Sequence, residues 1–163
     1  MDQPPVFVSS EYCLACRGCC RFTSVDSPWR PRIGAGEDFD WLTPEARDDQ
    51  GYVKADQTAQ GIVCRLLDPV GHLCRVYARR PFECRMYPVI LTRADGQWRV
   101  YLHLSCPYVQ EHYGSEACRR YIQALKDYFQ GPGVRAFLRR NSDLAGDYAG
   151  AEEELVEVLR LDP

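Results

Sequence analysis

The spacing of apolar and polar residues predicts a β-hairpin in the middle of the chain. Two segments, residues 89–93 and 98–104, flank the pair Asp95-Gly96, which favours a tight hairpin turn. Because successive side chains of a strand point to opposite faces, Val100 and Leu102 fall together on one face of the second segment. We therefore expect this face of the hairpin to pack on a core.

A helical period follows the hairpin, over residues 115–129. Apolar residues recur there three and four positions apart, which indicates an amphipathic helix with one buried stripe. Two shorter helices are expected at residues 134–140 and 152–161. A free cysteine on such a stripe behaves as a small hydrophobe, so Cys118 is expected in the core. The stripe consists of Cys118, Tyr121, Ile122, Leu125, Tyr128 and Phe129.

The residues before the hairpin have weaker patterns. Residues 62–67 form a strand-like run, and residues 72–77 are expected to return as its partner, which would bring Cys64 and Cys74 together. Pro81 is expected to open a helical turn that delivers Cys84. Nearer the N-terminus, residues 6–8 suit a short strand or an anchoring arm, and Thr43-Pro44-Glu45 has the form of a helix start.

These elements predict an α+β fold within a single domain, residues 1–163. A small irregular cysteine-rich core with short β-hairpins would occupy residues 13–107, and a helical extension would follow over residues 108–163. A chain of this length buries roughly 70% of its unfolded surface, so metal is not needed merely to compensate for small size.

Four thiols lie within eight residues near the start of the chain, as Cys13-x2-Cys16-x2-Cys19-Cys20. A C-x2-C step lets two sulfurs bind one ion. Adjacent side chains diverge, however, so a single tetrahedral ion does not easily take both Cys19 and Cys20. The loop therefore indicates either two metal centres or one polynuclear cluster.

The cysteine count indicates a reducing compartment. The chain has nine cysteines but neither a signal peptide nor an apolar run long enough to span a membrane, so we expect it in the cytoplasm, where thiols stay reduced and favour metal or redox chemistry. The formal net charge of −3 argues against nucleic acid and membrane surfaces as partners.

Arginine is concentrated beside cysteine. Of the 20 basic residues 18 are arginine, and six cysteines are followed directly by one. A guanidinium does not lose its proton to a metal site, and it can both neutralise thiolates and donate hydrogen bonds to sulfur. The arginines expected to surround the metal ligands are Arg17, Arg21, Arg65, Arg75, Arg80 and Arg85.

The whole cysteine pattern resembles a known family. The first four cysteines, then Cys64, the run Cys74-x-Val-Tyr-x2-Arg-Pro-x2-Cys84-Arg-x-Tyr-Pro, and finally Cys106 are similar to the YkgJ-like CxxCxxCC cysteine-cluster family of zinc- or iron-chelating domains. The resemblance implies metal binding by eight cysteines over about residues 13–107. These are Cys13, Cys16, Cys19, Cys20, Cys64, Cys74, Cys84 and Cys106.

Sulfur ligands leave two candidate cofactors. Tetrahedral thiolate coordination suits zinc or an iron–sulfur cluster, and eight thiolates divide into two sites of four. We expect iron–sulfur cluster(s) serving electron transfer or another redox reaction, with a Zn²⁺-binding structural or metal-handling module as the alternative. The sequence identifies no catalytic residue and contains none of the common hydrolase motifs. The protein partner or small-molecule substrate is not specified.

Overall fold

The structure is a computed structural model that describes residues 3–16, 18–39, 42, 44–68, 70–148 and 151–161. The chain divides into two compact units. One is Ser9–Arg85, which we call the cysteine-rich unit, and the other combines Met1–Val8 with Met86–Pro163. The proposed single domain, with its division at residue 107, stays a prediction.

The cysteine-rich unit contains a three-stranded antiparallel sheet of order β1-β3-β2. Its regular elements are helix α1 (Ser10–Cys16), strands β1 (Arg21–Phe22), β2 (Ala55–Thr58) and β3 (Gly61–Cys64), and 3₁₀ turns at Gly18–Cys20, Pro44–Ala46 and Tyr77–Arg79. Helix α2 (Phe82–Met86) begins near the C-terminal end of this unit. The core of the unit includes Val53 and Val63, and Cys64 lies within it. Cys20 and Cys74 pack against this core, so three predicted ligands border one apolar cluster.

The second unit contains an antiparallel sheet of order β4-β5-β6 and three helices. Its elements are β4 (Val89–Ala94), β5 (Gln97–His103), α3 (Pro107–His112), α4 (Glu116–Gln130), α5 (Pro132–Arg140) and β6 (Leu155–Leu161), with 3₁₀ turns at Ser142–Leu144 and Glu152–Glu154. The predicted α+β class, with short hairpins and C-terminal helices, is thus confirmed. Among the described residues, no helix is long and apolar enough to cross a membrane.

The central hairpin forms where the sequence predicts it. Strands β4 and β5 pair antiparallel through a turn in which Asp95 has φ 53° and Gly96 has φ 79°. Positive φ at both turn positions matches the right-handed twist of the strands, which explains the preference for Asp-Gly. Val100 and Leu102 are fully buried, as the alternating pattern indicates.

The long amphipathic helix is also confirmed. Ser115 caps helix α4, since its hydroxyl accepts a hydrogen bond from the Cys118 backbone N–H at 3.1 Å. Cys118 is 1% exposed and therefore lies in the core as expected. Residues 3–8 form an arm without strand structure, and the Phe7 ring stacks on Tyr121 with 4.8 Å between ring centroids.

The helix predicted at residues 152–161 is wrong. A 3₁₀ turn occupies Glu152–Glu154, and the rest forms strand β6, which pairs with β5. The apolar spacing of Leu155, Val156, Val158 and Leu159 suits a helix or a strand, and long-range pairing with the exposed edge of the hairpin decides between them.

Three predictions in the cysteine-rich unit also need correction. Strand β3 pairs with β1 and β2 rather than with residues 72–77, which form no strand. Those residues do return beside the end of the predicted run, through the isolated Leu67–Cys74 bridge and the hydrogen bonds Asp68 N–H to Leu73 O and Arg75 N–H to Leu66 O at 2.8 and 2.9 Å. The first cysteines lie on helix α1 and a 3₁₀ turn rather than in a loop. The helix predicted after Thr43 is a 3₁₀ turn, Pro44–Ala46, and Thr43 itself lies outside the described residues. The turn at Pro81 does open helix α2, which carries Cys84.

Candidate metal centre

Four thiols come together in the cysteine-rich unit from four separate segments. Cys19 lies in the 3₁₀ turn after α1, Cys64 ends β3, Cys74 follows the loop after β3, and Cys84 lies on α2. The charges of Cys19, Cys64 and Cys74 each raise the pKa of at least one other of the four thiols, and all three raise the pKa of Cys84. We call Cys19, Cys64, Cys74 and Cys84 the four-thiol cluster.

Backbone amides already point at two of these sulfurs. Burial raises the pKa of the Cys64 thiol to about 12 and the nearby Cys74 and Cys19 thiols add to the rise, whereas hydrogen bonds from the Leu66 and Leu67 N–H groups oppose it. Burial also raises the pKa of Cys74, whose sulfur accepts a hydrogen bond from the Val76 N–H. Such N–H donors favour a negatively charged sulfur, which is the form that binds metal.

The other two thiols are also held neutral. Burial raises the pKa of Cys84 well above its usual range, and the charges of Cys64, Cys19 and Glu83 act in the same direction. A hydrogen bond with the Cys20 thiol is the main cause of the raised pKa of Cys19, followed by burial. Cys19 is exposed as a residue, but its sulfur lies deep enough for desolvation to disfavour the thiolate. In the absence of a cation, the cluster therefore keeps its protons at neutral pH.

The remaining predicted ligands occupy different surroundings. Cys13 and Cys16 lie three residues apart on α1, so they share one side of that helix, and Cys16 is exposed. Cys20 is half-buried beside Cys19. Cys106 belongs to the second unit, where it is 5% exposed and precedes α3. The structure thus places seven of the eight predicted ligands in the cysteine-rich unit, and four of these form the cluster.

Arg80 stands out among the predicted surrounding arginines. Its charge lowers the pKa of both Cys19 and Cys74, against the larger effects that raise them. The buried Nε of Arg80 has no hydrogen-bond acceptor among the described residues, and the same holds for the Nε of Arg85. An orphaned buried donor costs free energy unless an acceptor arrives, and a metal-bound sulfur is such an acceptor.

The other arginines have different partners. Arg65 pairs with the carboxylate of Asp56, and the Arg85 guanidinium lies 3.4 Å from Glu37. Arg21 donates to the Gln60 carbonyl oxygen at 3.4 Å. Arg75 is exposed, and Arg17 lies outside the described residues.

Two residues that the sequence does not single out support the cluster. The Glu37 carboxylate accepts hydrogen bonds from the Gly34 N–H at 2.8 Å and from the Phe82 N–H, at the start of α2, at 2.7 Å. The Tyr77 ring lies 3.8 Å below the Arg80 guanidinium carbon. Glu37 belongs to no recognisable spacing pattern, whereas Tyr77 lies in the Tyr-x2-Arg-Pro run of the cysteine pattern, which does not reveal its role.

The donor set fits a thiolate-bound metal. Four sulfurs, three backbone N–H donors and the orphaned Nε–H of Arg80, whose charge acts on Cys19 and Cys74, are the kinds of ligand and hydrogen-bond donor that such a centre needs. Within the part of the chain that the structure describes, no three Cys, His, Asp or Glu side chains have the arrangement of a formed metal site.

The second unit holds a separate polar cluster around His103, which is 7% exposed. The hydroxyl of Tyr87 lies 3.3 Å from its Nδ1, and Glu154 Oε2 lies 3.3 Å from its Nε2. Ser105 donates to the same carboxylate. Burial lowers the pKa of His103, while the contact with Glu154 opposes this. The contact between His103 and Glu154 links β5 to the 3₁₀ turn before β6.

Comparison with known proteins matches the chain to a family model. The CxxCxxCC family model, described as a putative zinc- or iron-chelating domain, matches residues 12–107. This range includes all eight predicted ligands and excludes Cys118. The chain matches none of the curated proteins and none of the solved structures with which it was compared.

Proposed function

The chain belongs to the CxxCxxCC family of zinc- or iron-chelating domains, and on that premise we propose that it is an iron–sulfur protein that transfers electrons or serves another redox reaction. The observation that supports the proposal is the four-thiol cluster, in which thiols from four segments lie close enough for their charges to affect one another's pKa. When bound, an iron–sulfur centre supplies reversible one-electron chemistry.

The residues of the cluster would do three things for such a centre. Cys19, Cys64, Cys74 and Cys84 would hold it, and the apolar core beside Cys64 would limit the access of water. The backbone N–H groups at Cys64 and Cys74 would stabilise negative charge on sulfur. The half-buried guanidinium of Arg80 would offset part of the negative charge of the thiolates, because uncompensated charge is costly below the surface.

Cys13, Cys16, Cys20 and Cys106 remain part of the proposed ligand set. The family pattern supports them, since all four lie within the matched residues. The separate location of Cys19 in the cluster and of Cys13 and Cys16 on α1 suits the division of eight thiolates into more than one site.

The second candidate is a closed zinc site in a structural or metal-handling module that docks a protein partner. The backbone N–H donors at Cys64 and Cys74 favour this candidate in particular, because they would also stabilise a single ion with four thiolates. Either centre requires reduced thiols, so we place the protein in the cytoplasm.

The deciding experiment is purification of the full chain without oxygen and without added metal, followed by metal analysis, acid-labile sulfide assay and a visible spectrum. Iron with a matching amount of sulfide and visible absorption is the expected result. Zinc without sulfide would replace the redox function with the second candidate. Absence of both metals would overturn the proposal altogether.

A further inference from the structure

Tyr77 forms a fixed platform next to the four-thiol cluster. Its backbone N–H donates to the Cys74 carbonyl oxygen at 3.3 Å, which places the ring one turn after a cluster residue. Its hydroxyl donates to the Ser10 carbonyl oxygen at 3.5 Å, at the start of α1. The ring is therefore held at both ends, and its face is covered by the Arg80 guanidinium at 3.8 Å. This distance is well within the range of a cation–π contact.

Arg80 differs from Arg65 and Arg85 because it has no carboxylate partner among the described residues. Arg65 and Arg85 each face a carboxylate, on Asp56 and Glu37 respectively. Among the described residues no carboxylate pairs with Arg80, whose Nε–H is buried without an acceptor. Its charge acts on two sulfurs of the cluster, those of Cys19 and Cys74. A half-buried guanidinium whose Nε–H is buried, and whose charge already acts on two thiols, is suited to receive a negatively charged acceptor.

We propose that Arg80 is the positioning residue of the thiolate site: held by the Tyr77 ring, it donates its Nε–H to the sulfur of Cys19 or Cys74 once that sulfur binds metal. The inference rests on the proposed function, because it requires that the cluster bind a metal ion. It goes further in assigning one arginine, and the tyrosine that supports it, to a defined hydrogen bond. Tyr77 acts through Arg80 and contributes no ligand.

The size of the expected effect follows from hydrogen bonds that surround metal ligands elsewhere. Loss of such a bond commonly weakens metal affinity 10–100-fold. Replacing Arg80 removes both the donor and its charge, whereas lysine restores the charge without the planar Nε–H. Arg80→Gln is therefore expected to weaken binding about 10–100-fold, and Arg80→Lys by less.

The test uses Co²⁺ and Zn²⁺ as probes of the full chain. Co²⁺ affinity and its sulfur-to-metal absorption band are measured, and Zn²⁺ affinity follows from competition. The matched control is Arg79→Gln, which removes the same charge from the adjacent exposed residue. The inference predicts weaker binding and a shifted band for Arg80→Gln only. Equal effects in both variants would overturn it, while failure of the unmodified chain to bind either ion would overturn the proposed function as well.

Substitutions at Tyr77 test the supporting role. Tyr77→Leu removes the ring face and is expected to weaken binding several-fold, whereas Tyr77→Phe keeps the face and should bind nearly as the unmodified chain does. Because Tyr77 acts through Arg80, adding Tyr77→Leu to Arg80→Gln should cause little further loss. Additive losses would show that Tyr77 acts independently and would overturn this part. Thermal unfolding of each metal-free variant separates loss of affinity from loss of fold.

Discussion

At the scale of single residues, the cluster is defined by thiols that resist ionisation until a cation arrives. Burial is the largest cause for Cys64, Cys74 and Cys84, and the raised pKa of about 12 at Cys64 leaves it fully protonated near neutrality. A metal ion that binds these sulfurs, as proposed, would therefore have to displace their protons. The cost of that displacement makes the affinity depend on pH.

Proton release on metal binding measures this directly. At pH 7 we expect about four protons per Zn²⁺, because all four thiols of the cluster have raised pKa values and start neutral. The apparent affinity should consequently rise steeply as the pH rises from 6 to 8. Calorimetric titration in two buffers of different ionisation enthalpy gives the number of protons. Release of fewer than about two would contradict ligation by the whole cluster.

Substitution of single cysteines distinguishes those that bind metal from those that only pack in the core. Cys84→Ser is expected to abolish the metal centre, since it replaces a converging sulfur with a poor ligand for these metals. Cys118→Ala should leave the metal content unchanged, although the cavity at this fully buried position should lower the free energy of unfolding by about 1 kcal/mol. Metal analysis and denaturant unfolding of both variants provide the comparison. Loss of metal in Cys118→Ala would contradict its place in the core.

At the scale of elements, the placement of α2 depends on a buried carboxylate. Glu37 lies 2.7 Å from the N–H at the start of α2, and its side chain is 5% exposed. Burial raises the pKa of Glu37, while the N–H groups of Gly34 and Phe82 and the charge of Arg85 oppose this rise. Because α2 carries Cys84, the hydrogen bond from the start of α2 to Glu37 helps to fix the position of Cys84 in the cluster.

Removal of this carboxylate should affect both stability and metal binding. Glu37→Ala leaves two buried N–H donors and Arg85 without their acceptor, so we expect a loss of about 2–3 kcal/mol in the free energy of unfolding. Metal affinity should fall as well, because α2 loses its anchor. Denaturant titration and Zn²⁺ competition measure the two effects. Glu116→Ala, in an exposed ion pair on α4, is the control and should change neither by much.

The sequence predicts elements well where their signals are local. The Asp-Gly turn specifies the β4–β5 hairpin, and the Ser115 cap with its apolar stripe specifies α4. Strand β6 could not be predicted in the same way, since its residues suit a helix and only pairing with β5 makes them a strand. Spacing likewise identified the candidate ligands, whereas Glu37 supports the site through contacts between distant residues that no spacing records.

At the scale of the whole molecule, the four thiols of the cluster, which are the proposed ligands, all belong to one of the two units. Binding free energy should therefore appear as stability of Ser9–Arg85, because metal sites contribute to folding where their ligands lie. In the second unit, Val100 and Leu102 of β5 and Leu125 of α4 are fully buried.

Hydrogen exchange with and without metal tests this division. Removal of metal is expected to speed exchange in residues 9–85 and to leave β4, β5 and α4 protected, because only the first segment loses stabilising ligation. Exchange is followed peptide by peptide with mass spectrometry. The peptide containing Cys106 decides its role: faster exchange there would support ligation by Cys106, and unchanged exchange would remove it from the ligand set. A uniform change throughout the chain would contradict the division.

The order of the two units along the chain affects how the protein is made. Residues Met1–Val8 belong with Met86–Pro163, so the cysteine-rich unit interrupts the other unit in the sequence. The ribosome therefore synthesises the four cysteines of the cluster before Tyr121, on which Phe7 stacks. It also synthesises them before strand β6, which completes the second sheet. During translation, metal could thus bind the four cysteines of the cluster while the second unit is still incomplete.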